Sequence, residues 1–276
     1  MENENAKTPG SGSEKEPGRS RTRVAIVTGA SSGLGLEFAR QIDARGDVDE
    51  IWLVARNEKK LEEVASHLST PSIAVPADLS KPEDIAAIAD TLGKNNLFVS
   101  YLVNSAGFGR FGAWDDISEA DAEGMIDLDC RGLVSMTRAC LPHMGHGSHL
   151  IEVASAAAFV PLPYMNVYAA CKAFVLRYTR ALRWELHGTG ITATALCPAW
   201  VKTGFEHQAR KSRDGHAVRH LLFAQEPSTV VRRALEDNRK HFAVSCASIP
   251  SATLRLIGKV VPSAITMAGW DVMRRV

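Results

Sequence analysis

A chain of 276 residues, 45% of them hydrophobic, is long enough to bury a sizeable core, and its length fits one large domain better than two small ones. Its 32 basic and 31 acidic residues nearly cancel, so nothing in the overall balance points to nucleic acid or an anionic membrane as the main partner, and a small molecule is expected instead. Five scattered cysteines, with no C-x-x-C pair, argue against a disulfide framework or a zinc site and fit a reducing cytoplasm.

Residues 1–22 are rich in Glu, Lys, Ser, Gly and Pro. They are expected to be a flexible tail, or an arm that docks on the body or on a neighbouring subunit. The tail has no apolar core of the kind a secretory leader carries, and no run in the chain is long and apolar enough to predict a membrane span. The body, 23–276, alternates short apolar runs with longer amphipathic ones. Strands are expected at 24–28, 51–55, 72–75, 98–103, 149–154 and 191–196, with a seventh at 242–245. Helices are expected at 33–45, 57–68, 82–93, 118–140, 166–187 and 228–238, with Pro82 near the start of one and Ser228 capping the last. The alternation predicts a single α/β domain: a parallel sheet of about seven strands with helices on both faces.

The first strand runs into "TGASSGLG", with Gly29, Gly33 and Gly35. Glycines there let the backbone turn tightly, approach a pyrophosphate and open a helix whose first amides favour its charge, so the segment predicts dinucleotide binding. With this G-x-x-x-G-x-G spacing the chain resembles the short-chain dehydrogenase/reductase superfamily over residues 23 to about 246. The resemblance implies a Rossmann-type doubly wound sheet. It also implies a nicotinamide dinucleotide held by Gly29, Ser31, Ser32, Gly33, Leu34, Gly35, Asp78, Leu79, Asn104, Ala106, Gly107, Pro198, Val201 and Thr203, together with Tyr168 and Lys172. "NSAG" is similar to that family's N-x-A-G, "ADLS" places Asp78 where the family contacts adenine, and "CPAWVKT" has Ala199 where glycine is usual.

Tyr168 and Lys172 form Y-x-x-x-K, and Ser155 lies thirteen residues upstream, the catalytic spacing of the family. On a helix, residues four apart are neighbours, so the Lys172 ammonium reaches the Tyr168 hydroxyl and is expected to draw its pKa toward working pH, helped by the charge of the oxidised nicotinamide. Tyr168 then exchanges a proton with a ketone or alcohol oxygen, and Ser155 hydrogen-bonds the same oxygen. Where the family has an asparagine that holds the lysine through water, this chain has Asp129. The carboxylate either keeps that relay or alters it, which leaves open a non-enzymatic dinucleotide-binding sensor or scaffold.

Ala55-Arg56 ends the second strand without the acidic residue that would select NAD, so NADP is favoured through Arg56, with NAD not excluded. The histidines His143, His146 and His149 read as a polar connection rather than a metal site, and Cys171 as packing; no metal is expected. A segment at 199–226 suits a lid. Phe108, Phe111, Phe159, Tyr164, Trp200 and Phe205 fall near the expected mouth, which suits a bulky lipophilic ketone, and hydroxysteroid dehydrogenases resemble the chain in motifs and pocket character. A 3-oxoacyl chain is the competing substrate, with Arg210, Lys211 and Arg213 as part of a basic patch for its carrier. The segment 250–276, interrupted by Pro262, is expected to pack between the subunits of a homodimer or homotetramer, with an amphipathic surface helix or weak membrane association as the other readings.

Overall fold

The structure, a computed structural model, describes residues 21–210, 218 and 224–275. Among these, seven strands form one sheet in the order β3-β2-β1-β4-β5-β6-β7, and every pairing is parallel. The strands are β1 (Thr22–Thr28), β2 (Glu50–Ala55), β3 (Ser72–Pro76), β4 (Leu97–Asn104), β5 (His149–Val153), β6 (Thr192–Leu196) and β7 (Val244–Ser245). The order reverses between β1 and β4, and at such a switch point the loops beyond the strand ends part to leave a crevice.

Alternation along the strands divides the core. Ala25 and Val27 pack with Phe38 and Ile42 of α1 (Gly33–Asp43), Leu61 of α2 (Glu58–Ser66) and Val230 and Leu235 of α8 (Pro227–Arg239). Val24 and Ile26 face the other way, against Ile88 and Leu92 of α3 (Pro82–Lys94), Met136 of α5 (Leu133–Cys140) and Leu182 of α6 (Asn166–Glu185). Both faces are apolar because both are covered, so the strands read as unbroken hydrophobic runs.

Several boundaries differ from expectation. β1 begins at Thr22, inside the expected tail, of which residues 1–20 lie outside the described residues. The helix expected over 118–140 is divided into α4 (Glu119–Ile126), a π-helical turn (Asp127–Gly132) and α5. The seventh strand is shorter than its apolar run. Ser228 does not cap α8: Glu226 is the extended residue before it and Pro227, which lacks the N–H that a first-turn residue leaves unused, opens the helix. Pro82 opens α3 in the same way. The expected lid carries α7 (Phe205–Ala209) and a bridge between Val201 and Gln225; Lys211 and Arg213 lie outside the described residues. After β7 come α9 (Ile249–Val260) and α10 (Ser263–Met273), parted at Pro262.

Candidate active site

One cleft of about 1770 Å³ lies beyond the strand ends. At one end the turn after β1 brings Gly29, Ser31, Ser32, Gly33 and Leu34 to its wall. Gly29 (φ 68°) and Gly33 (φ 57°) adopt left-handed backbone that a side chain would strain. A Cβ on Gly35 would lie 2.3 Å from the Gly29 carbonyl oxygen, so this glycine lets α1 start hard against the turn without lining the cleft itself. The first α1 amides therefore open onto the cleft, a cradle suited to phosphate. Thr28, unrecognised in the sequence, ties the cradle to the next loop: its Oγ1 accepts from the Ser105 and Ala106 amides, both at 3.0 Å.

Arg56, Asp78, Leu79, Ala106, Gly107, Pro198, Val201 and Thr203 line the same cleft, as do Asn57 and Lys60. Burial opposes the charge on Asp78, yet hydrogen bonds from Ser80 and the fields of Arg56 and Lys81 hold its pKa below the ordinary value. Asn104 does not line the cleft. Its Nδ2 donates to Thr137 Oγ1 (3.0 Å) and Glu152 Oε1 (3.3 Å), in a buried polar cluster that joins β4 to β5 under the floor. Glu152 is another residue that sequence reasoning passed over; wholly buried, its carboxyl is pushed up to about 8 despite bonds from Thr137 and Asn104.

The floor holds Ser155, Tyr168 and Lys172. Ser155 follows β5, accepts from the Ala157 amide (3.1 Å) and shares a hydrogen bond with the Tyr168 side chain. One turn along α6, Lys172 Nζ donates to the Val153 carbonyl (3.2 Å) and sits 5.7 Å from the Tyr168 ring centre. The π-helical turn delivers Asp129 directly to Lys172, Oδ2 to Nζ at 2.9 Å, while Oδ1 accepts from the Phe108 amide at 3.0 Å. Gly107 is required there, because a Cβ would come within 2.9 Å of Asp129 Oδ1. Asp129 itself is 1% exposed and stays behind the cleft wall, in contact with Lys172 but not with the cleft.

These contacts set the proton affinities. Burial disfavours the Lys172 charge, but Asp129 and Tyr168 outweigh it and hold the ammonium above its ordinary pKa. Burial likewise raises Asp129, against the pull of Lys172 and the Phe108 amide. For Tyr168, burial raises the pKa, Lys172 and Ser155 lower it, and Asp129 raises it again. Lys172 pulls the phenol down, as expected, but burial and the added carboxylate outweigh one ammonium, and the net direction is upward. Such a cluster can present a protonated phenol to an oxygen in the cleft, with a serine hydroxyl beside it and the Lys172 ammonium behind.

The remaining wall is apolar and corrects the sequence in detail. Phe108, Trp200 and Phe205 line it, with Phe205 5.5 Å from the Tyr168 ring centre. Phe111 is buried behind, edge-on to Tyr168, Trp200 and Phe205. Phe159 does not line the cleft; it packs, partly buried, against the core cluster that includes Val175 and Ala195. Tyr164 also lies outside the lining, in left-handed backbone (φ 66°), with the Arg274 guanidinium 3.3 Å from its ring centre. Leu254, Ile257, Val261, Ile265 and Trp270 of the C-terminal segment complete the wall. Trp270 Nε1 donates to the Pro163 carbonyl (2.8 Å), and a Cβ on Gly258 would lie 2.3 Å from the Phe159 carbonyl oxygen, so α9 and α10 sit tightly on the segment that follows Ser155. One face of the segment expected to pack between subunits thus covers the chain's own cleft. Only the amphipathic pattern of the segment hinted at this. His149 opens β5, at the far end of that strand from Ser155, bonded to Thr192 and Asn238. Cys171 is buried, its carbonyl 3.9 Å from Cys130 Sγ.

The comparisons agree with this geometry. The family model described as short chain dehydrogenase matches residues 23–214. Sulfoacetaldehyde reductase 2 of Chromohalobacter salexigens is 34% identical over 66% of this chain and 74% of its own length. 11-beta-hydroxysteroid dehydrogenase 1A of Arabidopsis thaliana is 31% identical over 71% of this chain, which spans 57% of that longer protein. Among solved structures, a short-chain dehydrogenase from Sphingobium yanoikuyae in complex with NADPH superposes with a TM-score of 0.73 at 26% identity, over 92% of this chain and 96% of that one.

Proposed function

The chain belongs to the short-chain dehydrogenases, a family of oxidoreductases, and from that premise we propose that it reduces a bulky lipophilic ketone, most specifically a steroid ketone, with NADPH. The observation that carries the reading is the floor of Ser155 with buried Tyr168 and Lys172, opening on a wall of aromatic and aliphatic side chains. The cradle fits a dinucleotide because Gly29 and Gly33 take left-handed turns and Gly35 lets α1 start hard against the Gly29 carbonyl, which turns the first amides of the helix toward the cleft. Gly29, Ser31, Ser32, Gly33 and Leu34 would hold its phosphates, Arg56, Asn57 and Lys60 the extra phosphate of NADP, and Pro198, Val201 and Thr203 the nicotinamide end. When bound, that cofactor supplies or takes up hydride. Tyr168 donates its proton to the ketone oxygen, Ser155 hydrogen-bonds that oxygen as negative charge develops, and Lys172 stabilises the phenolate left behind. In oxidation the same groups run in reverse.

Arg56 supports NADP, since no acidic side chain at Ala55 repels a phosphate, and NAD remains a usable cofactor. The steroid reading is supported by the apolar wall and by the name of the Arabidopsis relative. The position reduced, whether 20β as in the bacterial hydroxysteroid dehydrogenase the motifs resemble or another, is the finer part of the proposal. The sulfoacetaldehyde reductase argues for a small anionic substrate, and a 3-oxoacyl chain is the other competitor. A non-catalytic scaffold is not kept. We further propose a homodimer or homotetramer, supported by exposed Phe174 and Trp184 on α6, in a reducing compartment such as the cytoplasm, supported by the free cysteines. The deciding experiment offers steroid ketones, 3-oxoacyl thioesters and small anionic aldehydes with NADPH and with NADH. Turnover confined to a small aldehyde would overturn the lipophilic reading.

A further inference from the structure

The near-neutral charge of the whole chain conceals a local excess. Residues 249–275 carry Arg255, Lys259, Arg274 and Arg275 against Asp271 alone; Arg274 is buried on the Tyr164 ring and both terminal arginines pair with Asp271, so the cations beside the outer face of α9 are exposed Lys259 and half-buried Arg255. They also hold half of the chain's large exposed apolar side chains among the described residues: Ile249, Leu256, Val260, Ile265, Val272 and Met273, each between 54% and 83% exposed. Their spacing is ordered. Ile249, Leu256 and Val260 fall at i, i+7 and i+11 about α9, and Ile265 and Val272 at i and i+7 of α10, so each helix turns one apolar stripe outward while its other face covers the cleft. Ile249, Ile265 and Met273 belong to both surfaces, exposed outside and lining the cleft inside, so apolar surface runs unbroken from the outer face to the cavity.

We propose that the outer face of α9 and α10 seats on an anionic lipid surface, with the cleft mouth at the bilayer. Such a face, apolar with cations beside it, gains from burial among acyl chains and from the negative headgroups at once. No helix among the described residues is long and apolar enough to cross a membrane, so the contact is interfacial. A second copy of the chain is the weaker occupant, because a two-fold contact would bring two faces of the same charge sign together. If the substrate is the lipophilic ketone inferred above, it enters from the bilayer without crossing water; that consequence rests on the ketone reading, whereas the docking does not.

Flotation of the full chain with phosphatidylcholine vesicles, with and without phosphatidylserine, tests the proposal. The protein should float with the anionic vesicles, and about tenfold less with neutral ones or as Lys259→Glu. A Leu256→Glu, Val260→Glu double variant, altered outside the cleft lining, should stop floating while keeping its circular dichroism, NADPH binding and turnover of a small water-soluble ketone. Failure of the wild-type protein to float, or unchanged flotation of the double variant, would overturn the docking. So would a wild-type dimer that the double variant splits into monomers, since a second copy would then cover the face. Vesicle binding by a protein that turns over no ketone would support the docking and overturn the ketone reading instead.

Discussion

The cleft joins two regions made by different means. The cradle at the β1–α1 turn is a backbone site: its shape rests on left-handed turns at Gly29 and Gly33 and on the missing side chain of Gly35, all within seven residues. The wall opposite is a side-chain site, assembled from Phe108, from Trp200 and Phe205, and from Trp270, three segments that lie far apart in the chain. A backbone site constrains residue type at fixed spacing, so it leaves a motif. A side-chain site asks only for apolar volume at positions that the fold happens to bring together, and many sequences supply it. The two should therefore fail separately when disturbed.

The largest effect is expected at the floor they share. Tyr168→Phe should lower ketone turnover about a thousandfold, within the range for loss of a general acid, while NADPH binding followed by fluorescence stays intact. Retained turnover would remove the proposed acid. A matched pair of glycine variants then separates the regions. Gly35→Ala forces a Cβ to 2.3 Å from the Gly29 carbonyl and should cost about 1–3 kcal/mol in thermal unfolding and weaken NADPH. Gly258→Ala forces the same 2.3 Å contact on the Phe159 carbonyl, and should raise KM for a bulky ketone several-fold with NADPH affinity unchanged. Loss of NADPH affinity in both would show that the regions are one cooperative unit.

Arg56→Ala sharpens the cradle side alone. It should weaken NADPH about tenfold through the lost charge-assisted contact and leave NADH nearly unaffected, measured by titrating both cofactors. The smallest effect is a shift in pH dependence. Asp129 raises the Tyr168 pKa by opposing the field of Lys172, so Asp129→Asn removes that opposition and lowers it. Oxidation requires the phenolate and should therefore rise at lower pH in the variant, with one alcohol and saturating cofactor. The apparent pKa belongs to the coupled cluster, and an unchanged or higher value would refute the assignment.

The parallel sheet, the cradle and the Tyr168–Lys172 pair were legible in the sequence because each depends on local periodicity: continuous apolar strands, glycines beside a helix start, a four-residue helical spacing. The replacement at Asp129 was visible too, but not its reach. Only the π-helical turn, which adds a residue to the helix without a motif of its own, brings that carboxylate within 2.9 Å of Lys172 and past Gly107. Burial, which decides that the Tyr168 phenol is raised, is likewise a property of everything packed around it. The substrate wall divided the same way. Phe108, Trp200 and Phe205 were placed by their nearness to motifs, whereas Phe159 and Tyr164, equally near, turn elsewhere, and the C-terminal helices that close the cleft lie some eighty residues or more from Tyr168. Local spacing determined the chemistry this chain can hold; long-range packing decided which side chains face it, because nothing in a segment's own periodicity says which of its faces another segment will cover.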